Sequence, residues 1–202
     1  MVLPKHLAMR ALVLVALAAV VVVLATSCST GKDAVAQGDT FQFVSPGGKT
    51  VITYDAADRK PVAPVAGKDL FTDKRVTLDD FAGKAVVINV WGSWCGPCRG
   101  EADALQRVYA QTKDAGVAFL GINFRDDRSS AKDFVTDRKI TYPSLYDYPG
   151  ATLAALTTPT SVVPTTVVLD KKHRPAVVYL RTVSGEELRA AVNKLVAEPD
   201  TP

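Results

Sequence analysis

Two cysteines separated by two residues, Cys95 and Cys98, stand in the stretch Trp91-Gly-Ser-Trp-Cys-Gly-Pro-Cys98. A thiolate is the nucleophile of thiol–disulfide exchange, and thiols at i and i+3 share one side of a helix, where they can close a disulfide ring. Ahead of them the short β-branched run Ala85-Val-Val-Ile-Asn-Val90 reads as a buried strand. Behind them Arg99 to Ala115 reads as a helix. Cys95 then occupies a helix N-terminus, where unpaired N–H groups and the positive end of the dipole favour a thiolate. Pro97 suits the first turn, because the N–H that it lacks would be unpaired there. On this reading Cys95 attacks and Cys98 resolves.

Other uses of a Cys-x-x-Cys pair fit less well. Zinc needs about four ligands. The remaining candidates, Cys28, His6 and His173, do not form a spaced pair, so no metal and no other cofactor is expected. A purely structural bridge from i to i+3 closes too short a loop to add much stability. A peroxide-reducing cysteine in a Thr-x-x-Cys setting would need threonine where Gly92 stands.

The stretch resembles the thioredoxin active site. Asn89 stands where cytoplasmic thioredoxins carry a buried aspartate, and Glu101 follows Cys98 by three residues. That combination is similar to the extracytoplasmic TlpA/ResA-like family of membrane-tethered thiol–disulfide oxidoreductases, over roughly Lys68 to Val196. The resemblance implies an α/β, thioredoxin-like fold, with a central mixed sheet flanked by helices and a TlpA-type helix-strand insertion. It implies a cis proline at Val163–Pro164 facing the cysteines, which presents the Val163 backbone to an extended substrate chain as if to an added strand. Trp94, Gly96 and Pro97 would complete the substrate-binding rim. The implied partners are protein thiols or disulfides, such as apocytochrome c or a secreted protein, and a membrane electron-transfer protein that recharges the site. Gly96-Pro97 is the dipeptide of reducing thioredoxins, so the expected direction is reduction, with disulfide formation in secreted proteins or peroxide reduction as alternatives. Glu101 has two readings: a substitute for the missing acid, shuttling the Cys98 proton, or a solvated helix carboxylate.

The remaining sequence must deliver and support this site. Met1 to Arg10 carries Lys5 and Arg10, Ala11 to Ala25 is wholly apolar, and small residues precede Cys28. This describes a signal peptide over 1–27. The run is short of the about 20 residues of a membrane span. Small residues before a cysteine resemble a lipobox, with Ala25 in the place usual for leucine, so Cys28 is the expected lipidation site. A lipid-anchored, extracytoplasmic protein follows, with plain secretion as the alternative. The formal net charge is +3, and removing Lys5 and Arg10 with the leader leaves the rest one positive charge from neutral, which is no basis for binding nucleic acid.

Residues 28–40 read as a flexible tether, and 41–67 as an N-terminal β-hairpin and linker. Phe41-Gln-Phe-Val44 and Thr50-Val-Ile-Thr-Tyr54 would be its arms, and Gly47-Gly48 its turn. Residues 68–198 form the thioredoxin-like domain, expected as a monomer. Within it, Val117 to Asn123 is a second strand whose spacing from the first argues a βαβ unit. The charged Arg125-Asp-Asp-Arg128 reads as a solvated loop, with Ser130 as cap of a helix over Ala131 to Lys139. Tyr142 to Tyr146 reads as a strand, Gly150 to Leu156 as a helix, Ser161 to Asp170 as a strand entered through Pro164, and Ala176 to Leu180 as its antiparallel return. Ser184-Gly-Glu-Glu187 is a capping box ahead of the terminal helix.

Overall fold

A computed structural model of the chain describes residues 39–159 and 162–199. The leader at 1–27, Cys28 and most of the tether lie outside the described residues, as does Ser161.

The apolar runs set the layers. β4 (Ala85–Trp91) and β5 (Val117–Phe124) are buried along their whole length and pair in parallel. Between them runs α1 (Gly96–Thr112), which continues into a 3-10 turn and ends at Gly116, in the left-handed region at φ 84°. Side chains of a strand alternate between faces. Val86, Ile88 and Val90 therefore pack on one side with Leu120 and Ile122. Ala85 and Val87 pack on the other with Leu105 and Val108 of α1. Strands covered on both faces carry continuous apolar runs, which is what these two segments show.

After β5 come α2 (Arg128–Asp137), β6 (Ser144–Asp147) and α3 (Ala151–Leu156). β6 adds in parallel to β5, and Leu153 and Leu156 of α3 close the first face. This is the expected helix-strand insertion. β7 (Thr165–Leu169) then returns beside β4, antiparallel, and β8 (Pro175–Tyr179) beside β7. α4 (Gly185–Ala197) lays Leu188, Val192 and Leu195 on the second face. Its start is the capping box: Ser184 Oγ accepts from the Glu187 amide, and the Glu187 carboxylate accepts from the Ser184 amide. With β1 (Val51–Thr53), β2 (Ala66–Asp69) and β3 (Arg75–Thr77), the described residues form one mixed sheet in the order β1-β8-β7-β4-β5-β6-β2-β3.

Three local expectations are corrected. The N-terminal hairpin does not form: Phe41–Val44 is not a strand, and β1 pairs with β8 instead. The Phe41 amide donates to the Pro61 carbonyl and the Phe43 amide to Thr157 Oγ1. The open edge of β8 offers β1 a ladder, while Phe41 goes to the core. Second, Asp127, not Ser130, caps α2. Its Oδ1 accepts from the Ser130 amide at 2.9 Å, so the helix begins at Arg128. Third, β2 and β3 form an antiparallel hairpin that pairs with β6. Sequence reading assigned no strands there, because both segments are short and only half-buried.

Candidate functional site

β4 ends at Trp91 and α1 begins at Gly96, so the residues between them form the turn that carries the first cysteine. Cys95 is the N-cap of α1, and its Sγ accepts a hydrogen bond from the Cys98 amide at 3.2 Å. The sulfur therefore sits at the positive end of the helix with the Cys98 amide directed at it, an arrangement that favours negative charge on it. Cys95 and Cys98 are joined in a disulfide, with Cα atoms 5.3 Å apart. Both are buried, at 4% and 2% exposure. Pro97 sits in the first turn of the helix, beside Gly96.

The Val163–Pro164 peptide bond is cis. The Val163 carbonyl oxygen lies 3.7 Å from Cys95 Sγ. In the disulfide that sulfur carries no hydrogen, so the approach is a contact and not a hydrogen bond. Val163 packs against the cluster formed by Leu70, Trp91, Cys95, Cys98, Ala102, Ala131, Phe134 and Val135. Trp91 is buried in this cluster, its ring 5.1 Å from that of Phe134, and so packs rather than docks. Trp94 is 55% exposed. Its indole crosses the Gly92 backbone so closely that a Cβ on Gly92 would lie 2.6 Å from the ring, and its Nε1 donates to the Arg125 carbonyl at 3.0 Å.

Glu101 is not a solvated helix carboxylate. Only 4% of it is exposed. Its Oε1 accepts from Asn89 Nδ2 and its Oε2 from the Val183 amide, each at 3.0 Å. Asn89 also donates to Thr166 Oγ1 at 3.1 Å. Burial pushes the Glu101 carboxyl up to about 7, against the two hydrogen bonds, which favour its ionised form. An acid poised there both gives up and takes a proton near neutral pH. Asn89, which stands where cytoplasmic thioredoxins carry the aspartate, thus helps to hold this acid.

Residues 63–195 match the family model described as Redoxin. The chain belongs to the redoxin family. The solved structures similar to it include a secreted thiol-disulfide isomerase from Corynebacterium glutamicum. That one is 47% identical, with a TM-score of 0.77, over 80% of this chain and 100% of the other. A DsbF homologue from Corynebacterium diphtheriae is 51% identical, with a TM-score of 0.74, over 77% of this chain and 99% of the other. The thiol-disulfide oxidoreductase ResA of Bacillus thuringiensis subsp. konkukian is 28% identical over 116 residues, 57% of this chain and 64% of that protein. The chain thus spans just under two thirds of the length of such ResA relatives. The redoxin match and these likenesses place the chain with ResA-like proteins of the thioredoxin superfamily.

Within this redoxin fold the turn after β4, the start of α1 and the Val163–Pro164 loop come together at the disulfide. Cys28 lies outside the described residues. Two participants escaped sequence reading. Asp126, read as part of a solvated loop, is 3% exposed and binds Ser93. Thr166, read only as strand, closes the Asn89 network. Neither has a local signal, since each is defined by a partner more than thirty residues away.

Proposed function

We propose that the chain is an extracytoplasmic thiol–disulfide oxidoreductase that reduces disulfides in protein substrates through Cys95 and Cys98. The observation that carries this reading is the Cys95 sulfur at the N-cap of α1, accepting from the Cys98 amide with its disulfide partner one turn on.

In the reduced protein the Cys95 thiolate attacks one sulfur of a substrate disulfide. A mixed disulfide forms, and the other substrate sulfur leaves as a thiolate and takes a proton. Cys98, deprotonated, then attacks Cys95 Sγ. The Cys95–Cys98 disulfide forms, and the second substrate thiol departs, so two electrons have passed to the substrate. Glu101 receives the Cys98 proton; its place one helical turn beyond Cys98 and its raised pKa support this role. Val163 and the cis Pro164 offer backbone to an extended substrate, with Trp94, Gly96 and Pro97 as the rim.

Cys28 carries a lipid that holds the protein outside the cytoplasmic membrane, where a membrane electron-transfer protein recharges the site. Apocytochrome c cysteines are one substrate of this class, and the protein works as a monomer. Gly96-Pro97 and the absence of a histidine between the cysteines support reduction over oxidation. A second reading is rearrangement or formation of disulfides in exported proteins. It is favoured by the Corynebacterium glutamicum relative, described as a secreted thiol-disulfide isomerase.

A Cys98→Ser variant tests the core of the proposal, because it stops the cycle at the mixed disulfide. Covalent complexes on Cys95 that dissolve in dithiothreitol are expected; their absence from a Cys98→Ser preparation would overturn the assignment. The reduction potential separates the directions: a value near about −270 mV supports reduction and one near about −120 mV supports oxidation.

A further inference from the structure

The segment after β5 grips the two residues that precede Cys95. Asp126 Oδ2 accepts from the Ser93 amide at 2.5 Å and from Asn123 Nδ2 at 2.8 Å, and its Oδ1 accepts from Ser93 Oγ at 2.7 Å. The neighbouring Arg125 carbonyl takes the Trp94 indole N–H. Arg125 is held in the left-handed region, at φ 47°, where a non-glycine residue costs free energy unless its surroundings impose the conformation. The Asp126 carbonyl is in turn anchored by the Tyr146 hydroxyl of β6 at 3.0 Å.

Asp126 is itself nearly closed to solvent. A buried carboxylate is expensive unless its oxygens are satisfied. These donors are neutral groups, and two of them belong to Ser93. The carboxylate therefore resists any movement of Ser93 relative to β5. The contact sits two residues before Cys95, where a shift of the backbone would carry the Cys95 sulfur away from the Cys98 amide.

We propose that Asp126 is a positioning residue for Cys95: it holds Ser93 directly and Trp94 through the Arg125 carbonyl, and so fixes the turn that brings the reactive sulfur to the start of α1. The inference rests on the reading of Cys95 as the attacking thiol. Besides Asp126, titratable groups on the elements packed about Cys95 include Cys98, Arg99 and Glu101 of α1 and Tyr146 of β6; the side chains from the β2 end and from α2 in its cluster, Leu70, Ala131, Phe134 and Val135, are apolar. Of the nearby cations, Arg125 lies over the Phe124 ring and Arg128 pairs with Asp73.

The test is the pH dependence of Cys95 alkylation by iodoacetamide in the reduced full chain, with the modified cysteine identified by mass spectrometry. Asp126→Ala removes the acceptors together with the charge, so it is read against Asp126→Asn: its midpoint pH of alkylation lies about half to one unit above that of Asp126→Asn, as the sulfur leaves the helix terminus. Asp126→Asn can direct its oxygen at the Ser93 amide and Asn123 while its amide donates to Ser93 Oγ. Its midpoint stays at or below that of the parent, because a negative charge near the thiolate has gone. Ser93→Ala keeps the backbone contact and raises the midpoint by less; it carries the test should Asp126→Ala fail to fold. An Asp126→Ala midpoint no higher than that of Asp126→Asn or, failing that variant, a parental midpoint in Ser93→Ala overturns the proposal. So does an Asp126→Asn midpoint above that of the parent. If in the parent Cys95 is not the thiol that alkylates first, the attacking-thiol assignment falls, and that outcome is distinct from parental midpoints in the variants.

Discussion

Asn89 Nδ2 donates to Glu101 Oε1 at 3.0 Å, from the centre of β4 to the second turn of α1. The pair places a neutral amide where the resemblance to cytoplasmic thioredoxins has a buried aspartate, and a buried acid beside it. The amide stabilises the charged form of the acid, burial opposes it, and burial wins.

That balance predicts a stability profile. The Glu101 carboxyl, ordinarily at 4.5, is raised to about 7 by burial in the folded protein. Between these values the folded chain holds a proton that the unfolded chain has lost. The contribution is present in full below about 4.5, falls as the pH rises towards 7, and changes no further above it. The size is about 3 kcal/mol from the shift alone. Urea unfolding at pH 4.5 and pH 8 measures it, and Glu101→Gln should flatten this part of the profile. The same variant should alter the pH dependence of cysteine alkylation; an unaltered profile would remove Glu101 from the proton pathway.

Removing the donor acts with the opposite pH preference. Asn89→Ala should destabilise the protein by about 1–3 kcal/mol, since it strips Glu101 and Thr166 of a buried partner. The loss should be larger at pH 8, where Glu101 is ionised, than at pH 5. Denaturant midpoints at the two pH values read the difference.

Two glycines near the site should behave differently. A Cβ on Gly121 would collide with Ser144 Oγ and lie 2.9 Å from Trp91 Nε1, inside a packed layer. Gly121→Ala should cost about 1–3 kcal/mol in chemical denaturation. A Cβ on Gly92 meets only the Trp94 indole, which is half-exposed and can swing outwards. Gly92→Ala should cost less than about 1 kcal/mol, while loss of the Trp94–Arg125 hydrogen bond shifts the tryptophan emission.

Arg59 anchors the opposite end of the sheet. Its guanidinium meets Glu198 at 2.6 Å and Asp170 at 3.4 Å, and its Nε donates to the Tyr54 carbonyl. The Asp170 side chain is only 6% exposed, so Arg59→Ala takes one cation from a buried carboxylate that also pairs with Arg174. A loss of about 3 kcal/mol is expected. Glu198 is 26% exposed, and Glu198→Ala should cost about 1 kcal/mol or less. Urea titration of both variants checks the ratio.

The sequence alone carried the cysteine pair, its strand and helix, and the terminal capping box. Each is written within a few residues: two cysteines at i and i+3, a β-branched run, an apolar stripe at helical spacing, a serine three residues before a glutamate. The burial of Glu101, the grip of Asp126 on Ser93 and the pairing of β1 with β8 were decided by the tertiary structure. A carboxylate in a helix or a polar loop reads as solvated until the packed fold brings Asn89 and Val183, or Ser93 and Asn123, within hydrogen-bond reach. Likewise, residues 51–53 have strand character by themselves, but only the folded sheet has a free edge on β8 for them to join. Local pattern sets what each segment can be; long-range contacts set what its polar atoms meet, and the raised pKa of Glu101 depends on the second.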